Sequence, residues 1–140
     1  MPTVPVVLPD PIRVAILAHA RNCFPDECCG LIATEDGAIR FAYPLTNAAP
    51  SSVSFTVAPE EHFGALRHAE SNGWEISGVF HSHPRGEPVP SATDVAMAWD
   101  PDWVHLIAAR GEIEAFRIQG GVVEALPIWL IANWEPDPGS

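Results

Sequence analysis

The chain contains no lysine: its seven basic residues are all arginines, set against 18 acids, for a formal charge of −11. That absence excludes Schiff-base chemistry, a P-loop lysine and a lysine-rich lipid anchor. The acid excess argues against nucleic acid as a partner, because phosphate contacts need a basic face. Cysteine is scarce as well. Cys23, Cys28 and Cys29 form an odd set with no C-x-x-C pair, which suits neither a disulfide framework nor a zinc clip and points to a reducing compartment. Met1 to Asp10 has no charged n-region and no apolar h-region, so no signal peptide is expected. No uncharged apolar run reaches the ~20 residues that span a bilayer. The expectation is a soluble cytoplasmic protein with neither nucleic acid nor membrane as a partner.

What is present suits one α/β domain. The 140 residues, 47% of them hydrophobic, are enough for a core without staples. Four prolines in the first eleven residues suggest an extended arm over Met1 to Pro9, which could pair across a homodimer. Asp10-Pro11 reads as N-cap and first helical position, and Ile12, Ala15, Ile16, Ala20 and Cys23 follow at helical spacing. Cys28 to Thr34 has strand length, and Asp36-Gly37 turns it back into Ile39 to Tyr43. A polar loop, Thr46 to Ser52, precedes a short strand, Val53 to Val57. Pro59-Glu60-Glu61 opens a second helix that Asn72-Gly73 ends.

The next strand, Glu75 to His83, leads through a proline-rich loop into a third helix from Ser91 to Pro101. Val104 to Ala109, Ile113 to Ile118 and Val122 to Leu126 read as strands joined by Arg110-Gly111 and Gln119-Gly120-Gly121. Ile128 to Ala132 is apolar but of undecided type, and residues 135–140 read as a disordered tail. The predicted domain covers residues 1–134, a single mixed sheet flanked by about three helices.

Chemistry concentrates in Gly78-Val79-Phe80-His81-Ser82-His83-Pro84 and Pro90-Ser91-Ala92-Thr93-Asp94. Residues two apart on a strand share a face, so His81 and His83 can point at one metal ion. Asp94, returned by the proline-rich loop, is the candidate third ligand. Two imidazoles and a carboxylate, with a fourth position open, make a catalytic rather than a structural zinc site. Plainer readings exist for both pieces. His-Ser-His could be a solvated strand end, and Ser91 to Asp94 is also an S-x-x-D capping box. Competing patterns fail: there is no H-E-x-x-H helix, no H-x-E with P-C-x-x-C and no G-x-S-x-G elbow.

His81-Ser82-His83, seven residues, Ser91, two residues and Asp94 resemble the JAMM (MPN-plus) metalloprotease motif at every fixed position. Pro25-Asp26-Glu27-Cys28-Cys29-Gly30-Leu31-Ile32 is similar to that family's upstream P-x-E-x-C-G-L segment. The resemblance implies the MPN/JAMM (cytidine-deaminase-like) fold and one Zn2+ per chain held by His81, His83 and Asp94. It makes Glu27 the general base for the attacking water and gives Ser91 the oxyanion. Ser82, Arg85, Trp99 and Trp103 are the candidate substrate-binding residues, although Ser82 alternates away from the histidines and both tryptophans could be core. Cys29 is expected to pack rather than react.

The family cleaves amide bonds made at the C-terminal glycine of ubiquitin-like proteins. With 53 residues between Glu27 and His81 and 46 after Asp94, this chain resembles the compact prokaryotic branch. The partner then implied is a small β-grasp carrier ending in Gly-Gly, from which cysteine or a small adduct is released. An isopeptidase acting on lysine conjugates and a non-catalytic MPN-type binding module are the alternatives. The module is disfavoured because every ligand and the acid are retained.

Overall fold

Among the described residues, three hairpin turns have left-handed backbone at both central residues: Asp36-Gly37, Arg110-Gly111 and Gly120-Gly121. That is the two-residue turn whose twist matches paired strands, and each of the three joins neighbours in one sheet. The computed structural model describes residues 4–47, 57–98 and 100–133. In chain order the elements are β1 (Val6–Pro9), α1 (Asp10–Cys23), β2 (Cys29–Glu35), β3 (Ala38–Leu45), α2 (Pro59–Ser71) and β4 (Glu75–Ser82). They continue with α3 (Ala92–Met97), β5 (Val104–Ala109), β6 (Glu112–Gln119), β7 (Val122–Leu126) and β8 (Ile128–Ile131).

The expected single mixed sheet is present, with strand order β7-β6-β5-β4-β2-β3-β1-β8. β4 and β5 run parallel, as β1 does with both β3 and β8; the remaining pairs are antiparallel. The outermost strands β7 and β8 are separated in sequence by Pro127 alone, so the two ends of the sheet must meet there. Val6 N–H closes the junction by donating to Pro127 O at 2.8 Å. A sheet bent round this far has two unlike faces. Ile16 of α1 joins Leu8, Cys28, Ile32, Phe80 and Leu106 in one core. Ala65 and Ala69 of α2 join Cys29, Leu31, Tyr43 and Ile76 in the other.

Several expectations shift. Of the extended arm expected over Met1 to Pro9, Val6–Pro9 is extended and forms β1, which pairs with β3 and β8 of the same chain. The N-cap of α1 is Pro9, one residue earlier than expected, and Asp10 pairs with Arg13 at 2.9 Å. The third helix ends at Met97 instead of reaching Pro101, because Ala98 returns to extended backbone. Ile128–Ile131, undecided from sequence, is a strand because β1 offers it a partner. Of the strand expected over Val53 to Val57 only Val57 is described, where it bridges Asn47. Trp99 and the 135–140 tail lie outside the described residues.

Candidate metal centre

β2 begins where β4 ends. The two are antiparallel with Cys29 opposite His81, so the same register carried outward sets Glu27 across from His83. The two-residue period then aligns Glu27, Cys29, His81 and His83 on one face. Metal-capable atoms of Glu27, His81 and His83 all lie within 4.8 Å of one another. His81 Nδ1 is 3.2 Å from Glu27 Oε1, with both side chains almost wholly buried. Asp94, on α3, completes the cluster: its Oδ2 is 3.0 Å from His83 Nε2 and its Oδ1 is 3.6 Å from His81 Nε2.

Local bonds hold these groups in place. Ser91 Oγ accepts from Asp94 N–H at 3.1 Å while Asp94 Oδ2 accepts from Ser91 N–H at 2.8 Å, a reciprocal capping box. Both readings of that segment therefore hold together, since the cap aims the carboxylate at the histidines. His83 Nδ1 donates to Glu87 O at 2.9 Å, because a carbonyl can only accept. Its Nε2 is left facing the Asp94 carboxylate, which also only accepts, so a cation is called for between the two. The Asp94 hydrogen bond raises the His83 imidazole above its usual range, against the opposing effect of burial. Burial alone would raise Asp94, but the His83 bond and the nearby His81 bring its carboxyl down to about 2.

Glu27 Oε1 is buried with no hydrogen-bond partner among the described residues. An orphaned carboxylate oxygen beside two imidazoles is what a metal with bound water would satisfy. The donor set of imidazole nitrogens and carboxylate oxygens suits zinc. Two carboxylates stand within reach, one more than a three-ligand catalytic site needs.

The remaining sequence candidates scatter. Ser82 faces the α1 side, and its buried Oγ accepts from Cys28 N–H at 2.8 Å, tying the start of β2 to the end of β4. Trp103 packs against the α2-side core, and Arg85 is exposed. Cys29 is buried, and burial pushes its thiol up to about 12, in keeping with a packing role. His19 and His68 serve structure, meeting Leu45 O at 3.2 Å and the Tyr43 hydroxyl at 2.8 Å.

Two supports were not foreseen. Buried Asn47 donates to Glu27 O at 3.2 Å and so fixes the backbone of the acid. From sequence Asn47 was one polar loop residue among several. The Glu87 carbonyl has no sequence signal at all, since any residue supplies one. His105, on β5 beside Val79, is a further buried polar group. Burial depresses its imidazole, with His81 adding to the effect and Asp94 opposing it.

Residues 9–119, which include the whole cluster, match the family described as prokaryotic homologues of the JAB domain. The chain is 40% identical to the desampylase of Haloferax volcanii over 104 residues, covering 69% of this chain and 75% of that protein. It is 32% identical to the CysO-cysteine peptidase of Mycobacterium tuberculosis over 127 residues, covering 86% of this chain and 87% of that protein. Among solved structures, a JAB1/MPN domain protein from Archaeoglobus fulgidus superposes with a TM-score of 0.58 at 16% identity, over 91% of this chain and 99% of that one.

Proposed function

The chain belongs to the prokaryotic JAB-domain family, and on that premise we propose that it is a zinc peptidase cleaving after the C-terminal Gly-Gly of a small carrier protein. Its mixed sheet with three helices is the JAB/MPN fold. The carrier is a β-grasp ubiquitin-like or sulfur-carrier protein, and the released group is cysteine or a small adduct. One observation carries the reading: two histidines and two carboxylates converge from the end of β4 and the residue after it, the loop before β2, and α3.

His81, His83 and Asp94 would hold the zinc, because the Nε2 atoms of both imidazoles face Asp94. When bound, zinc supplies Lewis-acid polarisation of the scissile carbonyl and makes a water acidic enough to attack near neutrality. Glu27, the second carboxylate, is left free for proton transfer. Fixed by Asn47 and buried beside His81, it takes a proton from the attacking water and returns it to the leaving amine. Ser91 Oγ accepts the Asp94 N–H and keeps its own hydroxyl proton to donate to the oxyanion. Gly-Gly suits such a centre because no side chain hinders its approach.

The 40% identity to a desampylase favours one second reading, in which the leaving group is a lysine of a modified protein. The test is metal content followed by cleavage of two conjugates of one carrier, Gly-Gly–cysteine and Gly-Gly–lysine. One zinc per chain, turnover of at least one conjugate and its loss on chelation are the expected results. Zinc-loaded protein that turns over neither would instead support a binding module.

A further inference from the structure

The other face of the metal strand carries a cleft of about 410 Å³, within the roughly 300–1,000 Å³ of ligand sites. Its apolar wall comes from Leu17, Ala20 and Phe24 at the end of α1 and from Ala108 and Ala109 of β5. Arg21 and Arg110 also line it. They are two of only seven bases in a chain of charge −11, so this is a local reversal of sign. Arg110 meets Glu87 at 3.8 Å, but both side chains are about two-thirds exposed, and such a pair exchanges readily for another carboxylate. Arg110 also occupies a left-handed turn position, with φ of 54°. Asparagine, aspartate or glycine would fit there at lower cost.

His83 belongs to the wall of this cleft while its Nε2 faces Asp94 in the metal centre. Whatever fills the cleft therefore lies one side chain away from the bond being cut. The carrier cannot be the part that is read there, because its last two residues are glycines and present no side chains. We infer that the cleft is a leaving-group site in which Arg21 and Arg110 recognise a carboxylate of the group released. This rests on the peptidase reading proposed above. The carboxylate has two possible sources, the α-carboxylate of a released amino acid or an Asp or Glu beside a modified lysine. The apolar wall accommodates the carbon chain that bears it.

The experiment uses zinc-loaded protein and two matched pairs of conjugates on one carrier. The first pair is Gly-Gly–cysteine against Gly-Gly–cysteine amide. The second is a Gly-Gly–lysine peptide flanked by Glu against the same peptide flanked by Gln. The acid member of at least one pair is expected to show a kcat/KM about fivefold higher at low salt, the effect of one partly exposed ion pair. The pair that responds identifies the source. Arg110→Asn, which suits the left-handed turn, and Arg21→Gln should each reduce that ratio, and together bring it to one. A ratio of one in the wild type overturns the inference. So does a ratio that survives the double variant, or one abolished by Arg85→Gln alone.

If wild type turns over none of the four conjugates, the peptidase reading fails separately. Fluorescence anisotropy of the labelled Glu and Gln peptides on chelator-treated protein then decides the cleft. Tighter binding of the Glu peptide that is lost in the double variant supports the site; equal binding or none removes it.

Discussion

The metal centre is built from two unlike halves. Glu27, two residues before β2, and His81, on the adjacent strand β4, are each 2% exposed. Asp94 comes from α3, a six-residue helix with no buried residue. The first half is held by packing. Phe80 stacks over Gly30, Ser82 accepts from Cys28 N–H and Asn47 fixes the Glu27 carbonyl. The second half is held by its own capping box and by the contacts of Asp94 with the histidines. A helix this short is not stable alone. The sheet therefore presents its ligands preformed, whereas α3 is positioned largely by the site it completes, and metal binding would tie it to β4.

The sharpest way to break this comparison is to neutralise one carboxylate from each half. Glu27→Gln should keep stoichiometric zinc and lower kcat by about 10²- to 10⁴-fold, the contribution of a positioned acid–base group. Asp94→Asn should lose zinc and activity together. Zinc analysis beside turnover would expose swapped roles, since zinc loss in Glu27→Gln with retention in Asp94→Asn reverses the assignment.

Next in size is the packing of the sheet half. A Cβ on Gly30 would run into the Phe80 ring and the Tyr43 carbonyl. Gly30→Ala should cost about 3 kcal/mol, roughly 10 °C in Tm, as overpacking in a closed core does. Thermal unfolding near the wild-type Tm would contradict that close approach.

The helix half should respond more mildly. Ser91→Ala removes a cap worth about 1 kcal/mol, so amides of Ala92–Met97 should exchange faster while those of β2 and β4 keep their protection. Zinc should slow the α3 amides more than the strand amides in the wild type. Equal slowing of both halves would mean that α3 is already as well fixed as the sheet.

The smallest effect concerns the thiols behind the sheet half. Burial pushes Cys28 up to about 11 and Cys29 up to about 12, from 9.0 in the open chain. The unfolded thiols therefore lose protons first as pH rises. Their contribution to stability is complete below pH 9 and is lost as pH climbs through about 11 for Cys28 and about 12 for Cys29. Ellman titration at pH 8 should detect at most the half-buried Cys23 in folded protein and all three thiols in denaturant. Rapid reaction of more than one in the folded state would rule out a sealed β2 start.

Much of the centre was legible because its signals are local. His81 and His83 share a face by the period of a strand, and Ser91 to Asp94 reads as a cap from spacing alone. The turns Asp36-Gly37, Arg110-Gly111 and Gly120-Gly121 were legible for the same reason. Glu27 was reachable only through family resemblance, because 53 residues separate it from His81 and no local rule bridges them. Asn47 and the Glu87 carbonyl carried no signal, since their roles exist only once distant backbone arrives beside them. The prolines of the arm advertised extended backbone without saying which strands it joins.

The sequence by itself determined the ligand types, their spacing, the turns and the family. Tertiary structure decided which face the ligands occupy. Ile76 and Val79 both lie on the α2 side, an odd interval that a regular strand forbids. The register shift that skips Ser77, beside the Thr34–Ser77 hydroxyl contact of 2.8 Å, makes it possible. Were β4 regular from Ile76 onward, His81 would point toward α1 and away from Asp94. Pairing register depends on strands remote in sequence, so only the assembled sheet could turn a legible pattern into a centre with two carboxylates.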